Sequence, residues 1–254
     1  MNLIIRILSF FALAFLVWGC APKVIPVERP ASIVWEQFQA DTKGLDPGQE
    51  FILSASVTYI TPTGRNRVQS SIWGTTGYPI RMDISAGFGQ TIAMWHEDHE
   101  LWEAYFPREN TKYIHRDGSI GASMLGYPTP LNLRQTVQVL LGSFEGLVPD
   151  NFQKYEPVDG MWQFYFNDHE VKSMVIAQDG SVNSISGHGW NIEFNGLNVD
   201  GEHSYYSRIE MNLSQGERAL IRVRSVRTDA LNLDVDQLGL EVPSEARVVF
   251  LPDL

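Results

Sequence analysis

From Glu50 onward the apolar residues recur at every second position, in runs too short and too often broken by turn residues to be helices. Phe51, Leu53, Ala55, Val57 and Tyr59 alternate with Ile52, Ser54, Ser56 and Thr58, and Thr61-Pro62-Thr63-Gly64 turns the chain into residues 67–73. Ile80, Met82 and Ile84 alternate with Arg81, Asp83 and Ser85; Ile92 and Met94 follow a glycine loop, and further alternating runs cover 101–106 and 111–115. The same period resumes at 161–167, 171–177, 182–186, 189–194, 205–213 and 219–226. Successive strands joined by short turns predict an antiparallel meander of about eleven strands.

Two stretches break the pattern with helical periodicity. In residues 31–42, Ile33, Val34, Gln37, Phe38 and Asp41 share one face, with Ser32 placed to cap the start and Gly44 just past the end. In the second, Thr129 is placed to cap, Pro130 to stand at the first helical position, and Gly142 to close a helix whose apolar face is Leu133, Val137, Leu140 and Leu141. The expected class is therefore mainly β with helices (α+β): one strongly curved sheet whose concave face the helices must cover. Trp73, Trp95, Trp102, Trp162 and Trp190 fall on strand candidates, as do Met82 and Met94. Each could simply pack the core; together they favour a roomy apolar pocket over a filled interior, and periodicity alone does not separate the two.

Ahead of the sheet lies an export signature. Arg6 gives one positive charge, residues 7–17 are apolar except Ser9, and Val17-Trp18-Gly19-Cys20 places a small residue before the chain's single cysteine. The apolar run is signal-peptide length, shorter than the roughly 20 residues of a membrane-spanning helix. The junction resembles a bacterial lipobox, which implies that residues 1–19 are a cleaved signal and Cys20 a lipidated N-terminus; 20–30 then reads as a proline-containing tether and 31–254 as the folded domain. An ordinary secretory signal with an incidental Cys, or an uncleaved N-terminal anchor, is the alternative. Cys20 has no partner for an internal disulfide, and lipidation would give it a use. The resemblance to Gram-negative lipoproteins implies that Asp after the Cys would favour inner-membrane retention, so under that sorting rule Ala21 points to the outer membrane. With 19 Lys and Arg against 30 Asp and Glu, net −11, the surface repels nucleic acid.

These features together resemble LolB. The residues that carry the resemblance are the lipobox at Cys20, the tether, Trp35-x-x-Phe38 on the first helix, and Tyr127-Pro128-Thr129-Pro130-Leu131-Asn132-Leu133 leading into Val139-Leu140-Leu141-Gly142. LolB is an outer-membrane lipoprotein that accepts other lipoproteins from the periplasmic carrier LolA. The resemblance implies an eleven-stranded half-barrel, lidded by helices, whose concave face holds acyl chains; Trp73, Met82, Met94, Trp95, Trp102, Trp162 and Trp190 are its candidate lining here. It also implies a LolA-like carrier as partner, a monomeric acceptor, and a loop between the third and fourth strands whose apolar residue delivers cargo to the membrane. Ile84-Ser85-Ala86-Gly87-Phe88-Gly89-Gln90-Thr91 occupies that place, with Phe88 between two glycines where the family usually has Leu. The chain is also longer than a typical LolB around 195–203 and at its tail.

Catalytic signatures are weak. His96-Glu97-Asp98-His99-Glu100 is the densest titratable cluster, but its second His comes one residue too early for His-Glu-x-x-His, and a solvated turn explains it. Gly187-His188-Gly189 offers one further His in a turn. No nucleophile elbow, phosphate loop or dinucleotide fingerprint is present. The expectation is a binding protein with no cofactor and no metal: an acyl-chain acceptor or, alternatively, an envelope structural or interaction lipoprotein of the same fold or a carrier or sensor for another lipid.

Overall fold

A computed structural model describes residues 27–253 apart from 43, 44, 88, 128, 201, 202, 214, 215, 229 and 230; Cys20, Gly44 and Phe88 lie outside the described residues. The first helix, α1 (Ala31–Asp41), buries Ala31, Val34, Trp35 and Phe38. Its buried stripe is thus rotated from the expected one, because Trp35 takes the core position. Ile33 is 42% exposed, and the Gln37 side-chain amide donates to the Asp41 carboxylate on the solvent side. Pro30 rather than Ser32 precedes the helix, its carbonyl accepting from the N–H groups of Ile33 and Val34 at 3.1 Å each.

Strands follow at β1 (Glu50–Thr61), β2 (Gly64–Thr75), β3 (Ile80–Ser85), β4 (Thr91–Glu97), β5 (Trp102–Phe106) and β6 (Thr111–His115). Two helices come next, α2 (Gly118–Met124) and α3 (Leu133–Leu140). A second meander runs through β7 (Lys154–Val158), β8 (Met161–Tyr165), β9 (Val171–Ile176), β10 (Val182–Gly187), β11 (Trp190–Asp200), β12 (His203–Leu213) and β13 (Arg218–Arg227). The tail adds a 3-10 turn (Val235–Leu238) and β14 (Arg247–Phe250). β1 and β13 pair antiparallel from Ile52↔Arg227 to Ile60↔Arg218, which joins the two meanders into one sheet. The strand order is β14-β6-β5-β4-β3-β2-β1-β13-β12-β11-β10-β9-β8-β7; only β14 on β6 is parallel, and β14 and β7 are left as open edges.

Fourteen strands among the described residues exceed the expected eleven or so. The extra strands include β7, whose Pro157 reads as a strand breaker but is tolerated on an edge, and β14, too short to show a period. The tail reaches β14 along the face opposite the helices: Leu233 N–H donates to Glu50 at 3.1 Å, and the Arg81 guanidinium donates to the Gln237 and Gly239 carbonyls at 3.2 and 2.7 Å.

The concave face carries two cores. Under α1 and α3, Trp35 meets Phe38, Phe152, Phe164 and Phe166 with ring centroids 4.9–6.0 Å apart. Under α2, Trp95 and Trp102 meet edge to face at 5.2 Å, beside Ala93, Ala104 and Phe106. Gly118 and Gly121 let α2 lie directly on Trp102: a Cβ at Gly121 would stand 2.6 Å from the indole. Asp117 caps this helix by accepting from Ser119 and Ile120 N–H groups, a start signal masked in the sequence by the glycines that follow.

α3 begins at Leu133, later than expected. Asn132 accepts from Gln135 N–H at 2.8 Å while the Gln135 side chain accepts from Asn132 N–H at 3.0 Å, a complete capping box. Thr129 instead closes a small turn by donating to the Leu131 carbonyl at 2.7 Å. Gly142, at φ +76°, ends the helix as expected. Asn132→Ala is expected to lower the unfolding free energy by about 1 kcal/mol, read from urea denaturation, with Thr129→Ala costing less. Among the described residues no helix is long and apolar enough to cross a membrane.

Candidate ligand cleft

The two hairpin tips β3–β4 and β5–β6 fall at the same end of the sheet, and the segment that follows α2 passes over them. Between these three segments lies a cleft of about 520 Å³. Ala86, Gln90, Thr91 and Ile92 form one side, Phe106, Arg108, Glu109 and Tyr113 a second, Leu125 and Tyr127 the third. The β3–β4 loop is closed by Ala86 N–H donating to the Gln90 carbonyl at 2.8 Å and Gly89 N–H donating to the Ala86 carbonyl at 3.0 Å. The cleft wall is aromatic: Phe106 lies 5.7 Å from Tyr113 and 6.3 Å from Tyr127, and Tyr127 stands 5.7 Å from Trp95. Tyr127 is therefore the partition between the cleft and the buried Trp95–Trp102 pair. Burial, and next the Glu109 carboxylate, raises the Tyr113 and Tyr127 hydroxyls above their ordinary range, so both stay neutral donors at physiological pH.

The seven candidate lining residues divide by strand parity. Met82, Trp95 and Trp102 share the concave face beneath α2, with Met82 opposite Trp95 in the β3–β4 ladder. Trp162 and Trp190 pack against the other core; the Trp162 indole donates to the Arg29 carbonyl at 2.8 Å. Trp73 and Met94 do not join them. Trp73 alternates with buried Ile72 and lies on the opposite face, under the Arg81 guanidinium at 5.2 Å, and Met94 Sδ receives the same guanidinium at 3.3 Å. The strand that presents Trp95 inward must present Met94 outward. None of the seven lines the cleft itself. Its walls were missed because Phe106, Tyr113 and Tyr127 are distant in sequence; the meander alone, which puts both hairpin tips at one end, could have flagged them. The far half of the concave face, beneath α1 and α3, is filled by side chains.

The titratable cluster also divides. Asp98 does make the turn, accepting from Glu100 and Leu101 N–H groups at 2.8 Å each. His96 faces outward, 3.7 Å from Glu103, with burial lowering its pKa. His99 packs on Tyr78 at the turn, with ring centroids 4.7 Å apart. Glu97 departs from the expected solvated turn: it is 4% exposed, faces the core, and accepts from Leu133 N–H at 2.9 Å and from the Tyr78 hydroxyl at 3.0 Å. It thereby clasps the first turn of α3 to β4. Burial pushes its carboxyl above the usual range, against the lowering effect of the Leu133 N–H, the Tyr78 hydroxyl and the Arg134 N–H. Among the described residues no three His, Cys, Asp or Glu side chains converge as a metal site requires.

The cleft thus sits at one end of a long, unclosed, almost wholly antiparallel sheet whose concave face is covered by helices. No protein-family profile matches the sequence, and no curated protein matches it significantly. Solved structures do. A LolA superfamily protein from Nitrosomonas europaea superposes with TM-score 0.57 at 9% identity, covering 84% of this chain and 99% of the other. A DUF1329 family protein from Desulfovibrio piger gives 0.55 at 12%, covering 84% and 98%. A domain assigned to outer membrane lipoprotein sorting from Vibrio parahaemolyticus gives 0.51 at 9%, covering 82% and 95%. At such identities the likeness is one of fold.

Proposed function

We propose that this chain is a lipid-anchored, periplasm-facing acceptor of acyl chains at the outer membrane, receiving lipoproteins or other acylated ligands from a LolA-like carrier and releasing them to the bilayer. The observation that carries the reading is the aromatic-walled cleft, open beside the β3–β4 loop on a LolA-type sheet. The protein works as a monomer by binding and not by catalysis: an acyl chain passing between two apolar sites whose mouths touch stays out of water. Each methylene exposed on the way costs about 0.8 kcal/mol, so contact between carrier and acceptor is part of the mechanism. Because α1 and α3 fill the far half of the concave face, entry is confined to the β3–β6 end. Cys20 supplies the anchor, and Phe88, in the loop whose flanks Ala86 and Gln90 line the cleft, supplies the apolar contact for delivery.

The test uses the chain without residues 1–19 and with Cys20→Ala, incubated with a purified carrier holding a labelled lipoprotein. Label is expected to move to this domain, and Phe88→Glu is expected to leave capture intact while cutting delivery to liposomes at least tenfold. If no label moves and native mass spectrometry finds no copurified lipid, the reading falls and the chain is an envelope interaction module with a filled core.

A further inference from the structure

We infer that the cleft takes one acyl chain at a time and that its rim selects an anionic head group, with Arg108 as the contacting cation. The inference rests on the acyl-binding reading above and narrows it, among the lipoproteins and other acylated ligands named there, to amphiphiles with a single chain. Capacity comes first. If a methylene takes about the ~30 Å³ share of a water molecule, a sixteen-carbon chain needs on the order of 500 Å³. The cleft offers about 520 Å³, room for one such chain and not for the two or three of a diacyl or triacyl anchor. The space is also of the size, roughly 300–1,000 Å³, that proteins use for one small ligand.

Polarity comes second. The apolar and aromatic lining is Ile92, Phe106, Leu125 and Tyr127, whereas the exposed polar lining is Gln90, Thr91, Arg108 and Glu109. Arg108 is exposed on the β5–β6 turn, and among the described residues it has neither an ion-pair nor a hydrogen-bond partner, although the chain carries 30 carboxylates. Its neighbour Glu109 does not neutralise it by contact, because that carboxylate accepts from the Tyr113 hydroxyl at 3.2 Å. An open guanidinium beside an apolar wall fits an amphiphile whose chain lies inward and whose carboxylate or phosphodiester meets the fork of donors. Glu109, which lines the same cleft, opposes any anion there and most of all a head with more than a single negative charge, so the fork of Arg108 donors must outweigh it. A fatty-acid carboxylate and a lysophospholipid phosphodiester share this chemistry.

The experiment is a binding titration of the same signal-free Cys20→Ala chain with probes matched in chain length. These are palmitate, hexadecanol, hexadecyltrimethylammonium, palmitoyl lysophosphatidylglycerol and dipalmitoyl phosphatidylglycerol, each below its aggregation threshold or delivered on cyclodextrin. Palmitate or the lysolipid is expected to bind with one-to-one stoichiometry, at least tenfold more tightly than hexadecanol, with the ammonium probe weakest. The ratio of palmitate to lysolipid tells carboxylate from phosphodiester. Arg108→Gln is expected to erase the preference for the anion without changing hexadecanol binding, Arg108→Lys to restore part of it, and Leu125→Trp to abolish binding of every probe. Equal affinity for acid and alcohol, or an Arg108→Gln variant that keeps the preference, overturns the head-group assignment and leaves the acyl-binding reading standing. Two chains bound per protein, or dipalmitoyl lipid binding as tightly as the lysolipid, overturns the single-chain assignment. If no sixteen-carbon probe binds, the acyl-binding reading falls with it.

Discussion

Replacing Trp35 with alanine is expected to lower the free energy of unfolding by about 3–5 kcal/mol, the range for removing a large aromatic from a close-packed core. Trp35 is 5% exposed and is the only side chain of α1 whose ring reaches Phe152, Phe164 and Phe166 among the described ring contacts. Phe164 lies on β8, Phe166 just after it and Phe152 just before β7, so the indole is what fastens the helix to the second meander. No nearby side chain can swing in to fill the space, because its neighbours are planar rings already held edge-on or tilted against one another. Ile33→Ala, on the exposed side of the same helix, is the control and is expected to change stability by less than about 0.5 kcal/mol. Equilibrium urea denaturation followed by circular dichroism reads both. A loss below about 1.5 kcal/mol for Trp35→Ala would mean that α1 is peripheral to the fold.

Glu97 supplies the second large effect. Glu97→Ala leaves the Leu133 N–H and the Tyr78 hydroxyl without an acceptor in a dry site, and is expected to cost about 2–4 kcal/mol. Glu97→Gln keeps one acceptor oxygen for the Leu133 N–H, turns an amide N–H toward the Tyr78 hydroxyl oxygen and removes the charge, so it is the pH dependence of its comparison with the native chain that isolates the titration. Because burial raises the carboxyl's pKa in the folded state, the native protein holds this proton more tightly than the unfolded chain does. The stabilisation from the protonated form is complete below the unfolded pKa, near 4.3, and is lost as pH climbs through the raised folded value. Asp179, held low by the Ser181 hydroxyl, and Glu210, held low by Arg218, act in the opposite sense: their stabilisation is present above the unfolded pKa and disappears as pH falls through the depressed folded values. The two effects occupy separate windows. Glu97→Gln is therefore expected to gain stability relative to the native chain as pH rises from about 4 to about 7. Denaturation midpoints at four pH values check it, and a difference that does not vary with pH would show that the buried carboxyl titrates normally.

Much of the sheet could be read from alternation, because every strand but β14 pairs with at least one sequence neighbour; the β1–β13 and β14–β6 pairings are the distant ones. The exceptions have physical causes. Glycines 118 and 121 hide α2, since they are there to admit the Trp102 ring rather than to favour a helix. Parity says that Ile72 and Trp73, or Met94 and Trp95, lie on opposite faces, but with a large apolar residue at both positions it does not say which is inside; the tail and Arg81 settle that by covering Trp73 and Met94. Glu97 looked like part of a polar turn because its acceptor role depends on Leu133, 36 residues on. The cleft was the least legible feature. Its walls come from two hairpin tips and the end of α2, so no local pattern marks them.

The attachment of Arg29 limits the attitude the protein can take at a membrane. Arg29 N–H donates to the Gln178 side chain at 2.9 Å and the Trp162 indole holds the Arg29 carbonyl at 2.8 Å, which pins the start of the domain to the β9–β10 turn. Following the antiparallel order, that turn and the β3–β4 loop stand at opposite ends of the strands. β1 alone has 12 residues, roughly 40 Å of strand. With Cys20 lipidated as proposed, the leash from Cys20 to Arg29 spans at most about 30 Å fully extended. Standing upright on that leash, the domain holds its cleft away from the bilayer and toward the periplasm. To touch the bilayer with the β3–β4 loop it must topple about Arg29. Under the proposed function, loading and unloading would be two postures of the domain on one leash, with Arg29 as the point where that leash is made fast.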